Sequence, residues 1–254
     1  MNMKRVFNVI AMVVAVAVSG ISCMGGGGTE YEPQNTAVVS IVDGNALSGM
    51  YAIFDDNKKA YIVNESDLTV SSSTYYKGEA RALIAYTDAA VEPVMGYDYA
   101  INIAQLVELK TKLVQIGSID EDFINKYQAG VEFPYYQGGA SYTRGRYLNI
   151  QFVYRCGGAS MTDKHDFQLV YNPERVGSFK LGYPKTDDGY LYLEFHHNPG
   201  VDSSTHTSAE NIISFYLTDE MINKDIENDY FGIKILYRDY KSADISVLTY
   251  KFTK

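Results

Sequence analysis

Short runs of alternating apolar and polar residues, separated by turn signals, dominate the chain from residue 37 to its end. Alternation with a period of two is typical of a β-strand that buries one face. The clearest case is "RYLNIQFVYR", where Leu148, Ile150 and Phe152 share one side of a strand. Long helical patterns are scarce, and the chain holds 23 tyrosines and no tryptophan. The sequence therefore predicts an all-β protein.

The strand-like runs form two groups, which predict two domains. Five runs fall within residues 37–109, and they fit a small barrel of the oligonucleotide/oligosaccharide-binding (OB) type, with a five-stranded meander as the alternative. Six longer runs follow, and they predict an antiparallel β-sandwich. We place the barrel at residues 37–115 and the sandwich at 116–254. One short helix is predicted in "TDEMINKDIEND", with Asp219 and Glu220 in its first turn.

The N-terminus carries the pattern of a bacterial lipoprotein signal. A basic "MNMKR" precedes a 13-residue apolar run and the small residues "SGIS". A membrane-spanning helix needs about 20 residues, so the run suits a signal peptide better. We predict a signal at residues 1–22, lipidation of Cys23 and a flexible glycine-rich tether at 23–36. The expected location is the outer membrane, on its periplasmic side or at the cell surface. An ordinary secretory signal is the alternative.

The charge of the chain excludes one class of partner. The formal net charge is −9 at pH 7, from 31 acidic and 22 basic residues. A negative surface repels phosphate backbones, so we expect no binding to nucleic acid. It also opposes membrane contact through a polybasic patch.

The predicted strand "GYLYLEFHHN" carries the residues that are the best candidates for a ligand-binding site. Tyr190, Tyr192, Glu194 and His196 share one face, which we take as a candidate ligand face; a solvent face with aromatic cross-strand pairs is the alternative. His197 belongs to the opposite, buried face, where a hydrogen-bonded core histidine is expected. His165 begins another strand and could meet either histidine.

No catalytic motif, metal-ligand spacing or cofactor signature is visible, so none of these is predicted. Cys156 would be an unpaired and partly buried thiol once Cys23 is acylated. Whether the acidic residues of 219–229 bind calcium is left open.

Three quoted stretches, "YLNIQFVY", "HDFQLVYN" and "GYLYLEFHHN", resemble the C-terminal half of NigD-like proteins, which are lipoproteins of gut and oral Bacteroidota. The segment "LKTKLV" resembles the end of that family's first domain. The resemblance implies an N-terminal OB-type barrel and a C-terminal β-sandwich, and it implies no catalytic residues. Two departures are visible. His196 stands where the family usually has Arg, and Tyr135 and Tyr136 replace a frequent Trp.

These features together predict a non-enzymatic, outer-membrane-anchored lipoprotein of the NigD-like type. Its two β domains would act as a binding or accessory module for an envelope protein or a secreted partner. A glycan-binding surface lipoprotein is the first alternative. The second is a hydrolase that uses Glu194 with His165 or His196.

Overall fold

The computed structural model describes residues 35–43, 49–71, 75–76, 78–92, 94–133, 140–142, 146–177, 179–202, 204–218, 221 and 226–252. The predicted signal, the predicted lipidation site Cys23 and the predicted tether lie outside these residues. The chain divides into two compact units between Thr111 and Lys112. This division falls inside a strand, whereas the sequence placed it after residue 115.

The first unit is a closed five-stranded barrel, which confirms the predicted barrel over the meander. Its order is β1-β2-β3-β6-β5, and β5 pairs with β1 to close the ring. A parallel pairing of β3 with β6 makes the closure possible. The strands are β1 (Asn35–Val42), β2 (Tyr51–Phe54), β3 (Lys59–Ile62), β4 (Tyr75–Tyr76), β5 (Glu79–Asp88) and β6 (Tyr99–Glu108). The short β4 lies within "SSSTYYKG", a segment whose composition predicts a turn. It pairs with β5.

Alternating aliphatic and alanine side chains fill the barrel interior, as the period of two predicts. They are Val39, Ile41, Ala52, Ala60, Ile62, Ala82, Ile84, Ile101 and Ile103.

The second unit is a β-sandwich, as predicted. One sheet has the order β7-β13-β10-β9 and the other β15-β14-β12-β11-β8. The strands are β7 (Lys110–Leu113), β8 (Gln115–Ile116), β9 (Ala140–Tyr142), β10 (Tyr147–Cys156), β11 (Asp166–Tyr171), β12 (Leu191–Asn198), β13 (Thr207–Tyr216), β14 (Gly232–Arg238) and β15 (Ile245–Lys251). The part of this unit that the structure describes also has helices α1 (Glu121–Lys126) and α2 (Ile226–Asp229) and 3₁₀ turns at Ala159–Lys164 and Lys180–Gly182, and the first unit has a 3₁₀ turn at Glu65–Asp67.

The five-stranded sheet is mixed, whereas the sequence predicted purely antiparallel pairing. β12 runs parallel to β14, and β8 runs parallel to β11. The reason lies in the connection, because β13 follows β12 in the chain but joins the other sheet. The chain therefore returns to β14 in the direction of β12. Between the sheets, the Phe152 ring packs on Phe167 at 4.5 Å and on Phe195 at 4.9 Å between ring centroids.

The helices differ from the prediction. Helix α2 covers only the end of the predicted helix. Residues 219–220 and 222–225 lie outside the described part of the chain. Most of the acidic segment 219–229, for which calcium binding was left open, therefore lies outside it as well. Helix α1 was missed by the strand-based reading. Asp120 caps it by accepting a hydrogen bond from the Phe123 backbone N–H at 2.7 Å. An N-cap aspartate before Glu121 and Asp122 was the available signal.

One ion pair of this unit predicts sensitivity to acid. Asp166 on β11 accepts hydrogen bonds from Lys112, Tyr127 and Gln168. Burial raises the pKa of the Asp166 carboxyl, but these hydrogen bonds outweigh it and lower the pKa to about 2 from 3.8. The depressed value means that the carboxylate stabilises the fold above about pH 4, and that this stabilisation is lost as the pH falls towards 2.

We therefore expect the free energy of unfolding to drop by about 1 kcal/mol more between those two pH values in the wild type than in Asp166→Asn, after allowance for partial exposure. Urea titrations across that range measure the difference. Parallel pH curves for the two proteins would show that Asp166 makes no such contribution.

Candidate functional site

Strand β12 positions the predicted site residues, and its two faces divide as the alternation predicts. Leu191, Leu193 and Phe195 enter the core between the sheets. His197 lies on the same side and is 2% exposed. Tyr192, Glu194 and His196 point to the outer side of the five-stranded sheet.

That outer side is buried, which corrects the prediction of an accessible face formed by Tyr190, Tyr192, Glu194 and His196. The side chains of Glu194 and His196 are 0% exposed. Tyr192 packs with Phe179 and Leu236 in a small apolar cluster, and Tyr190 lies at its edge. The covering residues come from chain segments after β11 and from α1, which strand periodicity cannot place. A ligand can reach only the Tyr190 and Tyr192 end of the four residues.

Glu194 is the centre of a buried hydrogen-bond network. Its Oε1 accepts bonds from the Tyr183 hydroxyl at 2.6 Å and from Asn172 Nδ2 at 2.9 Å. Its Oε2 lies 3.0 Å from His196 Nε2. Burial raises the pKa of Tyr183, and the Glu194 carboxylate beside it raises it further, so the phenol stays a donor. The network gives this buried carboxylate the donors that such a group requires.

The His196 ring is held by aromatic contacts on two sides. It stacks on Phe179 at 4.3 Å between centroids, with an interplanar angle of 9°, and meets the Phe123 ring of α1 edge-on at 5.0 Å. Nδ1 is buried and has no hydrogen-bond partner among the described residues. We therefore assign the neutral tautomer, in which Nε2 donates to Glu194 and Nδ1 keeps its lone pair.

A second buried network joins three side chains that the sequence did not place together. His165 Nδ1 lies 2.7 Å from His197 Nε2, and His165 Nε2 lies 3.0 Å from Asp202 Oδ2. His197 Nδ1 in turn lies 3.1 Å from the Gly130 carbonyl oxygen. The expected hydrogen-bonded core histidine at position 197 is thus confirmed. Gly200, with φ +61°, allows the loop that carries Asp202 to approach Lys164, because a Cβ there would lie 2.6 Å from the Lys164 oxygen.

Counting protons in this second network assigns its charge. This row of hydrogen bonds has an acceptor at each end, the Gly130 carbonyl and the Asp202 carboxylate. Three hydrogen bonds link the two acceptors through the His197 and His165 rings. Three protons are needed, but two neutral imidazoles carry only two. Burial lowers the pKa of His197 to about 4, so His197 is neutral and the cation is His165.

The Asp202 carboxylate balances that cation inside the domain. Its oxygens accept hydrogen bonds from the Gly157 backbone N–H at 2.7 Å and the Ser204 backbone N–H at 2.9 Å. The Gly157 bond, followed by the bond with His165, lowers the pKa of Asp202. The pair ties the loop after β12 to the start of β11.

The two networks bear directly on the hydrolase alternative. The structure brings Glu194 and His196 into contact but leaves both without access to solvent. It places His165 on the other face of the sheet, with His197 and Asp202 rather than with Glu194. In this conformation a substrate cannot reach the Glu194–His196 pair or the His165 network. Both networks are therefore structural parts of the core.

An open recess on this domain lies next to the accessible end of the predicted face. It holds about 100 Å³ and is lined by Tyr171, Asn172, Pro173, Arg175, Tyr183, Asp187, Tyr190, Leu191, Tyr192 and Tyr230. The Arg175 guanidinium lies 5.4 Å from the Tyr183 ring centroid and 5.9 Å from that of Tyr192. Among the described residues, no carboxylate lies within ion-pair distance of Arg175. The arrangement can accept a small anionic or hydrogen-bonding group.

The surroundings of this recess are rigid and polar. Lys234 donates to Asp188 and lies 4.4 Å from the Tyr190 ring centroid. Burial raises the pKa of Asp188, but hydrogen bonds from Lys234 and Tyr192 outweigh it and lower the pKa. Asn172 Oδ1 is buried without a partner among the described residues.

Arg175 was missed by sequence reasoning. It follows the turn signal Asn172-Pro173 and has a positive φ of 55°, which no periodicity predicts. Its basic character in a Tyr-rich surrounding was the only available signal.

Three further observations bear on chemistry. Cys156 is an unpaired thiol and is 1% exposed. Within the part of the chain that the structure describes, no group of three or more His, Cys, Asp or Glu side chains is placed to hold a metal ion. Among those same residues, no helix has the length and apolarity needed to cross a membrane.

Comparison with known proteins gives a family for this domain. Residues 139–251 match the profile described as the NigD-like C-terminal beta sandwich domain. No curated protein matches the chain.

Solved structures with a similar fold include three proteins from Bacteroides species. A protein of unknown function from Bacteroides vulgatus shares 17% identity, with 87% of this chain and 92% of that chain covered and a TM-score of 0.64. A NigD-like immunity protein from Bacteroides caccae shares 17% identity over 86% and 93%, with a TM-score of 0.53. A protein from Bacteroides fragilis described as a candidate lipoprotein shares 11% over 87% and 99%, with a TM-score of 0.56. At these identities the likeness shows the fold alone.

Proposed function

The C-terminal domain belongs to the NigD-like family, and from this we propose that the chain is a lipid-anchored, non-catalytic envelope protein of the NigD-like type that binds a protein partner through this domain. The Arg175 recess is the observation that carries the proposal. Tyrosine and arginine are the residues that most often dominate binding energy at protein interfaces. Here they line a small open recess, whereas the Glu194 and His165 networks of the same domain are buried.

The chemistry of the recess favours a carboxylate on the partner. Arg175 offers planar donors, and no carboxylate among the described residues pairs with them. A volume of about 100 Å³ accepts an aspartate or glutamate side chain rather than a whole folded segment. The tyrosine rings around it supply contact area at a small cost in side-chain entropy.

The relatives support a protein as the partner. One similar structure carries the name of an immunity protein, which implies a protein target for that relative. A second is described as a candidate lipoprotein, in agreement with the signal at residues 1–22 and the proposed acylation of Cys23. We place the protein at the outer membrane. Mass spectrometry of the N-terminal peptide from native membranes tests the anchor, because a diacylglyceryl group must be found on Cys23.

Photo-crosslinking in intact cells tests the recess. A photoreactive residue at Val176, which is 50% exposed beside Arg175, should give one discrete crosslinked protein. Arg175→Glu should reduce the yield at least about tenfold, the fold-change of a residue worth about 1.4 kcal/mol. Lys126→Glu, which changes an exposed cation of α1, serves as the matched control and should leave the yield unchanged. Equal yields from Arg175→Glu and wild type would contradict the proposal.

A glycan ligand is the second candidate, and one observation favours it. Five tyrosines line the recess, so their rings can contact the C–H face of a sugar while Arg175 donates hydrogen bonds to its hydroxyls. Calorimetric titration with a broad panel of polysaccharides tests it. Heat of binding that Arg175→Glu or Tyr190→Ala removes would favour glycan over protein, and a silent panel would count against it.

A further inference from the structure

The barrel carries an exposed apolar tip that its own core does not require. Residues 89–98 connect β5 to β6, and within this segment Val91 is 51%, Val94 50% and Met95 97% exposed. Single exposed apolar residues are ordinary on protein surfaces. Three on one connection form a patch, and patches of this kind mark contact surfaces.

A turn hydrogen bond and two aromatic contacts hold the tip against the barrel. The Tyr97 N–H donates to the Val94 carbonyl at 3.0 Å, and Gly96 has the positive φ of 96° that this turn requires. The Tyr97 ring packs on Tyr51 at 5.5 Å and on Tyr61 at 5.9 Å between centroids. Met95 is therefore held outward by the fold.

Strand register places this tip at the end of the barrel where the chain arrives from its anchor. Asn35, the first residue of β1, pairs with Tyr86, and β5 ends two residues later at Asp88. The turn between β2 and β3 lies at the same end, because Asp98 N–H donates to the Lys59 carbonyl at 2.8 Å. About 12 residues separate Cys23 from Asn35, so a fully extended tether spans at most about 40 Å.

We propose that this end of the barrel rests on the lipid surface, with Met95, Val94 and Val91 entering the boundary between headgroups and acyl chains. Tyr97 and Tyr99 would lie at headgroup level, where tyrosine is enriched. The proposal rests on the lipid anchor proposed above, which supplies most of the membrane affinity and leaves the tip to set orientation.

The chemistry of the tip favours lipid over the other occupants. Aliphatic side chains offer a sugar no hydrogen bonds, and the tether joins the barrel at this same end. Charge does not assist the contact, because the exposed carboxylates Asp56, Asp88, Glu92 and Asp98 outnumber Lys58 and Lys59 there. Insertion should therefore rest on apolar burial, and neither salt nor neutral lipid should weaken it.

Environment-sensitive labelling of the acylated full chain tests the proposal. An NBD fluorophore on Met95→Cys is compared with the same label on Val107→Cys, an apolar position that is 40% exposed near the opposite end of β6 in the same barrel. Buried Cys156 and acylated Cys23 do not compete for the label. In vesicles of phosphatidylethanolamine and phosphatidylglycerol, we expect the label at position 95 to shift to the blue and to be quenched by nitroxide-labelled lipid. The label at position 107 should stay in water.

Adding Val94→Asp to the Met95→Cys protein should abolish the shift, and vesicles of phosphatidylcholine alone should preserve it. Water-like emission at position 95 in acylated protein would overturn the inference, as would shielding that appears only after polysaccharide or a protein partner is added. Failure of the anchor itself is a separate result, since mass spectrometry of Cys23 reports it before labelling.

Discussion

Glu194→Ala is expected to lower the free energy of unfolding of the C-terminal domain by about 3–5 kcal/mol. The carboxylate is fully buried and receives hydrogen bonds from Tyr183, Asn172 and His196. Removing it leaves these three donors without this acceptor and opens a cavity in the buried network. Each unsatisfied donor costs about 1–3 kcal/mol, although the losses are not additive.

Two matched variants isolate the cause. Glu194→Gln keeps the volume and one acceptor, so it should cost less than the alanine variant. Glu132→Ala removes a partly exposed carboxylate whose partner is Lys241, and its effect should stay within about 1 kcal/mol. Urea titrations followed by circular dichroism supply the values. A loss below about 1 kcal/mol for Glu194→Ala would show that its buried network does not support the fold.

His165→Leu is the second substitution with a large expected effect, a loss of about 2–4 kcal/mol. The leucine fills most of the space but donates no hydrogen bond. Asp202 loses its buried cation, and His197 Nε2 loses its partner. His206→Leu is the matched control, because His206 is exposed and its replacement should be nearly neutral.

The charge assignment has its own readout, independent of stability. Nitrogen-15 NMR of the imidazoles should show both ring nitrogens of His165 protonated and His197 protonated at Nδ1 alone. Two neutral rings at pH 7 would contradict the proton count, even if His165→Leu proved destabilising.

The strands could be predicted because their physical cause is local. Alternation along β10 placed Leu148, Ile150 and Phe152 in the core, where they are fully buried. The division of β12 into two faces followed from the same periodicity. The count and spacing of the runs in residues 37–109 indicated a small barrel, although its closure depends on the long-range pairings of β1 with β5 and of β3 with β6.

The environment of the site could not be predicted in the same way. Whether the outer face of β12 meets water depends on Phe179, Tyr183 and Phe123, which come from irregular segments and a one-turn helix. The contact of His165 with Asp202 depends on a loop held by Gly200, and these positions share no periodic relation. The parallel pairing of β12 with β14 depends on β13 joining the other sheet, a long-range choice that local pattern does not record.

The Arg175 recess is proposed to bind the partner, whereas the buried Glu194 network only supports the fold. The partner affinities of one variant at each place test this difference directly. The affinity of the protein recovered by crosslinking is measured by titration against wild type, Arg175→Glu and Glu194→Gln. We predict that Arg175→Glu loses at least about tenfold in affinity with an unchanged melting temperature, while Glu194→Gln melts earlier but binds as wild type below its transition. Unchanged affinity in Arg175→Glu together with lost affinity in folded Glu194→Gln would contradict the account.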